Sequence, residues 1–267
     1  MDFLLECIGF PPGYDREALV ETIQREGESI AWRGAHKTDL RLPLQDLLEL
    51  RLERLPDKDP QDPSTTLWPY YAEPRRLRIA TLDIRSVPDS PFDALLTGWV
   101  DPPLPDEPAH APPGAYLLST YVTDARRLEQ RPEPGHVLAI STAGFALDVS
   151  WIGPNERASD RSVLERPRGA SIAPLGDPSE PGGCNELSVR IRAVKHLRNP
   201  LSGALVERLE VDAPDRPLTL FASRWQLEAD GLPAPRPGWR IEGTFLFNGR
   251  LRGGLPGPKQ RAARRFG

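Results

Sequence analysis

The stretch PRPGWRIEGTFLFNGRL, residues 235–251, has the pattern of one long strand that starts after the turn glycine Gly238. Because residues two apart share a face of a strand, Trp239, Phe245 and Phe247 are predicted to lie on the same face as Ile241. The other face takes the more polar positions: Arg240, Glu242, Thr244, Leu246 and Asn248. A stacking platform for single-stranded nucleic acid needs exposed rings among basic residues. The pattern therefore predicts a core strand.

An imperfect internal repeat places this strand in a larger unit. Three pairs of segments match in the same order: IRSV (84–87) with IRAV (191–194), PFDALLTGWVDPP (91–103) with PLSGALVERLEVDAP (200–214), and PEPG (132–135) with PRPG (235–238). Collinear matches indicate repeated structural units. We therefore predict two related β units, residues 78–153 and residues 185–253.

Each predicted unit contains four or five strand-like segments and almost no helical periodicity. In the second unit Leu187, Val189, Ile191 and Ala193 fall on one face, as in a half-buried strand. Such content fits a small β-barrel or a small two-layer β-sandwich. The order strand, glycine turn, strand, strand, PxPG, strand ending in GRL resembles the small barrels of the oligonucleotide-binding type. The resemblance covers residues 185–253 and, more weakly, 78–153.

An α+β unit is predicted over residues 1–56. FLLECIGF has the pattern of a strand, and Asp15 is placed to cap a helix over REALVETIQREG. LELRLERL alternates strictly between leucines and charged residues, which predicts a half-buried antiparallel strand. Residues 57–77 and 154–184 are predicted as linkers, and residues 254–267 as a flexible basic tail. The predicted fold class is therefore mainly β with an α+β N-terminal unit.

Composition restricts the classes of function. Proline is abundant, with 31 residues, which favours short strands and ordered loops over long helices. The formal charge of −4 gives no general reason to expect nucleic acid or an anionic membrane as a partner. The N-terminus lacks a signal-peptide pattern and no apolar run approaches the length of a membrane span, so a cytoplasmic location is expected. Cys7 and Cys184 are expected to be reduced thiols.

Catalytic motifs are missing from the sequence. It contains no GxSxG, HExxH, CxxC, phosphate-binding loop or dinucleotide fingerprint. We therefore expect a protein without enzymatic activity, with no catalytic residues, no bound metal and no cofactor. One enzyme hypothesis stays open, in which a site between the units uses His36, Asp148 or a similar group.

A binding or scaffolding role is the main functional hypothesis, with the tandem β units presenting their loops and edges to another protein. The alternative is single-stranded nucleic-acid binding by the second unit and the tail, where acidic residues are missing after Glu242. Both hypotheses place binding on basic side chains. These candidate residues are Arg190, Arg192, Arg250, Arg252, Lys259, Arg261, Arg264 and Arg265.

Overall fold

The structure of the chain is a computed structural model that describes residues 3–30, 39–54, 65–88, 90–104, 113–153, 169–176 and 182–256. The helices are Phe3–Glu6 (α1), Arg16–Glu26 (α2) and Arg224–Ala229 (α3). The strands are Glu28–Ser29 (β1), Leu40–Pro43 (β2), Leu48–Arg54 (β3), Thr65–Tyr71 (β4), Leu77–Ser86 (β5), Ala94–Val100 (β6), Tyr116–Val122 (β7), Val137–Ile152 (β8), Ser171–Pro174 (β9), Cys184–Arg198 (β10), Leu205–Asp212 (β11), Leu218–Ser223 (β12) and Arg240–Gly253 (β13). They form sheets of four and nine strands, so the prediction of a mainly β chain is confirmed.

The helices of the N-terminal unit match one prediction and correct another. As predicted, helix α2 begins after Asp15, whose Oδ1 accepts a hydrogen bond from the Ala18 amide at 3.0 Å. The helix buries Leu19 and Ile23. FLLECIGF, however, contains the short helix α1 instead of a strand. Leu4 and Ile8 are both fully buried, and their spacing of four residues fits one face of a helical turn. The apolar run was too continuous to distinguish the two structures by its pattern.

Strand β3 alternates as predicted, but both of its faces are buried. Leu50 is buried on one face, and Arg51 is only 1% exposed on the other. Arg51 pairs directly with Trp68 of β4, and its guanidinium carbon lies 3.7 Å from the ring centre of Tyr70. Aromatic faces and the carboxylate of Glu49, 2.6 Å from Arg51 Nη2, thus replace water around this charge.

Two strands lie in segments that were predicted as linkers. Strand β4 falls within residues 57–77 and pairs with β3, and β9 falls within residues 154–184 and pairs with β10. In β4, Pro69 has no amide to donate, but its carbonyl accepts a hydrogen bond from Asn248 Nδ2 at 2.9 Å. Proline therefore does not mark a linker here, because a strand tolerates it where no ladder donor is needed.

The nine-stranded sheet combines the strands of both predicted β units. In each unit three strands form an antiparallel meander, β5–β6–β7 in the first and β10–β11–β12 in the second. The fourth strands, β8 and β13, pair with each other in antiparallel register. Strand β8 also pairs in parallel with β12, and β13 pairs in parallel with β7.

These pairings close two rings of five strands. One ring runs β5–β6–β7–β13–β8 and returns to β5, and the other runs β10–β11–β12–β8–β13 and returns to β10. The N-terminal half of β8 serves the first ring and its C-terminal half serves the second, while β13 does the reverse. Each unit therefore closes its ring with a strand of the other unit, and the two are parts of one sheet.

Backbone contacts at the two PxPG turns fix the correspondence between the units. The Thr81 amide donates to the carbonyl of His136 at 2.9 Å, and the Ile191 amide donates to the carbonyl of Trp239 at 2.7 Å. Gly135 and Gly238, with φ of 85° and 87°, donate back to Thr81 and Ile191 at 2.7 Å each. Thr81 thus corresponds to Ile191, which shifts the IRSV and IRAV match of the sequence comparison by three residues.

A β-bulge follows at the same place in both units. The register shifts between Thr81 and Asp83 in the first unit and between Ile191 and Ala193 in the second. The bulge inserts one residue, so side chains after it change face. Ala193 is consequently exposed, although the sequence pattern placed it on the buried face with Ile191.

The residues of β13 divide between two hydrophobic cores. Ile241, Phe245 and Phe247 belong to a core made by the large sheet and α3, as predicted. Trp239 is only half-buried. Leu246, predicted on the polar face, is instead buried in a second core that joins α1, α2 and the small sheet to the large sheet. The opposite face of β13 is therefore buried at Leu246 and Asn248 and partly exposed at the positions on either side of them.

Candidate binding cleft

A cleft of about 600 Å³ lies within the first β unit. It is bordered by the end of β5, the start of β6, a 3₁₀ turn at Ala125–Arg127 and the loop that leads to β8. Part of its wall is apolar, and this part consists of Ile84, Ala94, Ala125, Leu128 and Pro132. Its volume and mixed lining are typical of pockets that bind small molecules or side chains.

Arginines supply most of the polar wall. Arg85 Nε lies 2.5 Å from Asp83 Oδ2, and Arg131 Nη2 lies 2.6 Å from Asp83 Oδ1. The hydrogen bond from Arg85, followed by the one from Arg131, lowers the pKa of Asp83 in spite of its partial burial. Asp83 thus positions two arginines on one side of the cleft.

A second ion pair holds Arg126. Its Nε lies 2.8 Å from Asp93 Oδ2, and its backbone amide donates to the same oxygen at 3.4 Å. Burial raises the pKa of Asp93, although the hydrogen bond from Arg126 opposes this shift. Burial alone would lower the pKa of Arg126, but the hydrogen bond and charge of Asp93 outweigh it and raise that pKa. Arg126 therefore stays protonated and positively charged.

The chemistry of this wall is recognition of anions. A guanidinium carries five N–H donors in a planar fork that matches a carboxylate or phosphate, and it keeps its proton at any physiological pH. The wall thus contains three arginines and the two aspartates that bind them, and the carboxyl groups of Glu53 and Asp39 also act on Arg126. Their carboxylate partners hold them in place before any ligand binds.

The cleft exists because two positions in its wall, Ser86 and Ala94, have small side chains. Counted from the bulge, the pair Ser86–Ala94 of the first unit corresponds to the pair His196–Glu207 of the second. Glu207 is fully buried, and its Oε2 lies 2.5 Å from His196 Nδ1. Its Oε1 accepts a hydrogen bond from Arg224 Nε at 2.8 Å. Side chains thus occupy in the second unit a place that serine and alanine leave open in the first.

A buried carboxyl group lies near the cleft. Burial raises the pKa of Glu53 to about 8, although the charge of Arg51 opposes the shift, and the charges of Arg126 and Asp93 also act on this carboxyl. Its Oε1 is buried and has no hydrogen-bond partner in the part of the chain that the structure describes. Sequence reasoning missed Glu53 because strict alternation in β3 indicated a solvated charged face.

The predicted binding residues do not line the cleft. Arg190 and Arg192 are exposed on β10, but they face acids of β11, with Asp212 at 3.8 Å and Glu210 at 3.4 Å. That surface is therefore of mixed charge. In β13 Arg250 is mostly buried, with its Nε 3.7 Å from Asp124, and Arg252 is half-buried. Four further candidates lie outside the described residues: Lys259, Arg261, Arg264 and Arg265.

The enzyme hypothesis named His36 and Asp148. His36 lies outside the described residues, and Asp148 is exposed on β8. Burial raises the pKa of the Cys7 thiol to about 12, so this group is protonated and unreactive at neutral pH. Among the described residues, no group of three or more His, Cys, Asp or Glu side chains is arranged to hold a metal ion. No helix in the same ranges is long and apolar enough to cross a membrane.

The chain was compared with protein-family models, curated proteins and solved structures. No protein-family model matches the chain, and no curated protein and no solved structure matches it.

Proposed function

We propose that this chain is a non-enzymatic binding protein and that the cleft of its first β unit receives a short segment of another protein. The observation that carries the proposal is the cleft of about 600 Å³, with its apolar wall and its three arginines already fixed by carboxylates. Side chains that are held before binding lose little conformational entropy when a ligand arrives. The apolar wall contributes affinity and the arginines contribute specificity.

Mixed charge on the second unit supports a protein partner over nucleic acid. Arg190 and Arg192 lie beside Asp212 and Glu210, and these carboxylates would repel a phosphate backbone. The cleft also lies within one unit and has a volume of about 600 Å³, which suits a few side chains better than an extended strand of bases.

Peptide selection tests the proposal. The full chain is immobilised, and a phage-displayed library of random heptapeptides is selected for binding to it. Each bound clone is then tested for binding to the Ser86→Trp variant. Ser86 is exposed on the cleft wall, so an indole at this position fills the cleft without entering the core. The matched control is Ser150→Trp, at an exposed position of β8 outside the cleft.

Peptides that bind the wild type and Ser150→Trp but not Ser86→Trp are the expected result. A library that yields no such peptides, although both variants keep the thermal midpoint of the wild type, contradicts a peptide-binding cleft.

A further inference from the structure

We infer that the segment bound in the cleft is acidic and that a carboxylate of its Asp or Glu takes the place that the Glu207 carboxylate occupies in the second unit. This inference rests on the proposed function and adds the chemistry of the ligand. The two β units of the chain are compared for this purpose. The second unit contains the Glu207 carboxylate, and the first unit has a cleft at the corresponding position.

The first step is the correspondence of positions. From each bulge, the fourth pair along the hairpin is Ser86–Ala94 in β5 and β6, and His196–Glu207 in β10 and β11. Their burial agrees as well, since Ser86 and His196 are exposed whereas Ala94 and Glu207 are buried. A carboxylate thus extends in the second unit from a position where the first unit has only a methyl group.

The second step is the arginine that follows the third strand of each unit. Arg224 directly follows β12, and both its Nε and its Nη2 donate to Oε1 of Glu207. Arg126 lies in the 3₁₀ turn that follows β7 and lines the cleft near Ala94. Each unit therefore directs an arginine from the same connection towards the same hairpin. In the first unit Asp93, the neighbour of Ala94, holds Arg126, and position 94 itself carries no carboxylate.

The third step is charge and accessibility. Arg131 lines the cleft, is 68% exposed in its side chain, and donates one hydrogen bond through Nη2 to Asp83. The remaining edge of its guanidinium is accessible to an incoming carboxylate, with which a planar fork forms bidentate bonds. Ile84 and Leu128 then select an apolar side chain next to the acid. The expected ligand is a peptide in which Asp or Glu neighbours an apolar residue.

The test uses the peptides obtained by the selection described above. Each cleft-dependent peptide is synthesised with its Asp or Glu and with Asn or Gln in the same place, and both affinities are measured by titration calorimetry. Loss of a charge-assisted pair is expected to weaken binding about tenfold. Arg131→Gln is expected to weaken the acidic peptide by a similar factor and to leave the amide peptide almost unchanged.

Arg190→Gln is the matched control, because the side chain of Arg190 is also 68% exposed and lies on a different unit. It is expected to change neither affinity. Cleft-dependent peptides that lack acidic residues, or that bind equally well after Glu→Gln, overturn the inference and leave the proposed function standing. Failure to find any cleft-dependent peptide removes the proposed function itself.

Discussion

At the scale of single residues, Glu207 and Glu53 are two of the acidic side chains that the fold buries. Glu207 is fully buried and is held by Arg224 and His196, and Glu53 is buried close to Arg51. Partners replace the hydration of the Glu207 carboxylate, whereas burial raises the pKa of Glu53 to about 8, so that this carboxyl, whose Oε1 has no hydrogen-bond partner among the described residues, takes up a proton. Glu53 falls on the charged face of an alternating strand, so its burial could not be predicted from periodicity. Glu207 shares a strand face with Leu209 and Val211, so periodicity does indicate a buried position there.

Glu207→Ala is expected to lower the free energy of unfolding by about 2 to 3 kcal/mol, because it leaves Arg224 without its carboxylate and opens a cavity. Urea denaturation measures the change. Glu186→Ala, at an exposed position of β10, is the control and should cost little. Added acetate is expected to restore part of the thermal midpoint of Glu207→Ala more than chloride at equal concentration does, and equal effects of the two salts would contradict this.

Glu53 is expected to make stability depend on pH. Its pKa in the folded protein is about 8, above the value of about 4.3 for an unfolded chain, so the folded state binds the extra proton between these limits. The stability that this protonation contributes is complete below about pH 4.3 and is lost as the pH rises through about 8. Glu53→Gln should therefore be less sensitive to pH than the wild type across this window.

The comparison of the two proteins by urea denaturation from pH 5 to 9 isolates the contribution of Glu53, since other groups titrate in both. Parallel stability curves would show that the carboxyl is not protonated in the folded state.

The type of several secondary-structure elements could be predicted from the sequence, but the packing around them could not. The cap at Asp15, the alternation of β3 and the strand nature of β13 follow from local chemistry, which the sequence displays directly. The burial of Leu246 does not, because it depends on α1 and the small sheet covering the large sheet. The cleft depends on the absence of large side chains at Ser86 and Ala94, for which a single unit gives no signal.

The two PxPG turns are expected to respond equally to alanine. Gly135 and Gly238 have φ of 85° and 87°, and an added Cβ would meet nothing within 4 Å at either site. Substitution therefore costs only the backbone strain of the left-handed region, about 1 to 2 kcal/mol. Gly169→Ala is the control, since its Cβ also enters open space and its φ is not positive. Unequal losses in urea denaturation would contradict the equivalence of the turns.

The basic residues of β10 are expected to give no affinity for single-stranded DNA, because acids of β11 neutralise them. A gel-shift assay with an oligonucleotide of about 20 bases at about 50 and 200 mM salt checks this expectation. A shift at low salt that disappears after deletion of residues 257–267 would instead assign binding to the basic C-terminal residues.

At the scale of the whole molecule, the two β units depend on each other. Each ring is closed by a long strand from the other unit, β13 in the first and β8 in the second. Sequence matches suggested two units but not this exchange, since pairing between distant strands leaves no local pattern. Two units that follow one another in the chain are in this case not two domains.

Fragments of the chain are therefore expected not to fold alone. Residues 1–160 contain β8 without β13, and residues 161–267 contain β13 without β8. Each fragment should give a poorly dispersed amide NMR spectrum, and an equimolar mixture should give the dispersed spectrum of the intact chain. A dispersed spectrum from either fragment alone would contradict the shared rings.

The exchange of β8 and β13 also has a consequence for synthesis on the ribosome. The first ring spans residues 77 to 153 in its own strands, yet it stays open until residues 240–253 have left the exit tunnel. A nascent chain would thus expose the edges of β7 and β8 while roughly one hundred further residues are made, which takes about 5 to 20 s at about 5 to 20 residues per second. Holding chaperones are the natural protection for such an interval, and the delay makes this fold sensitive to the speed of elongation.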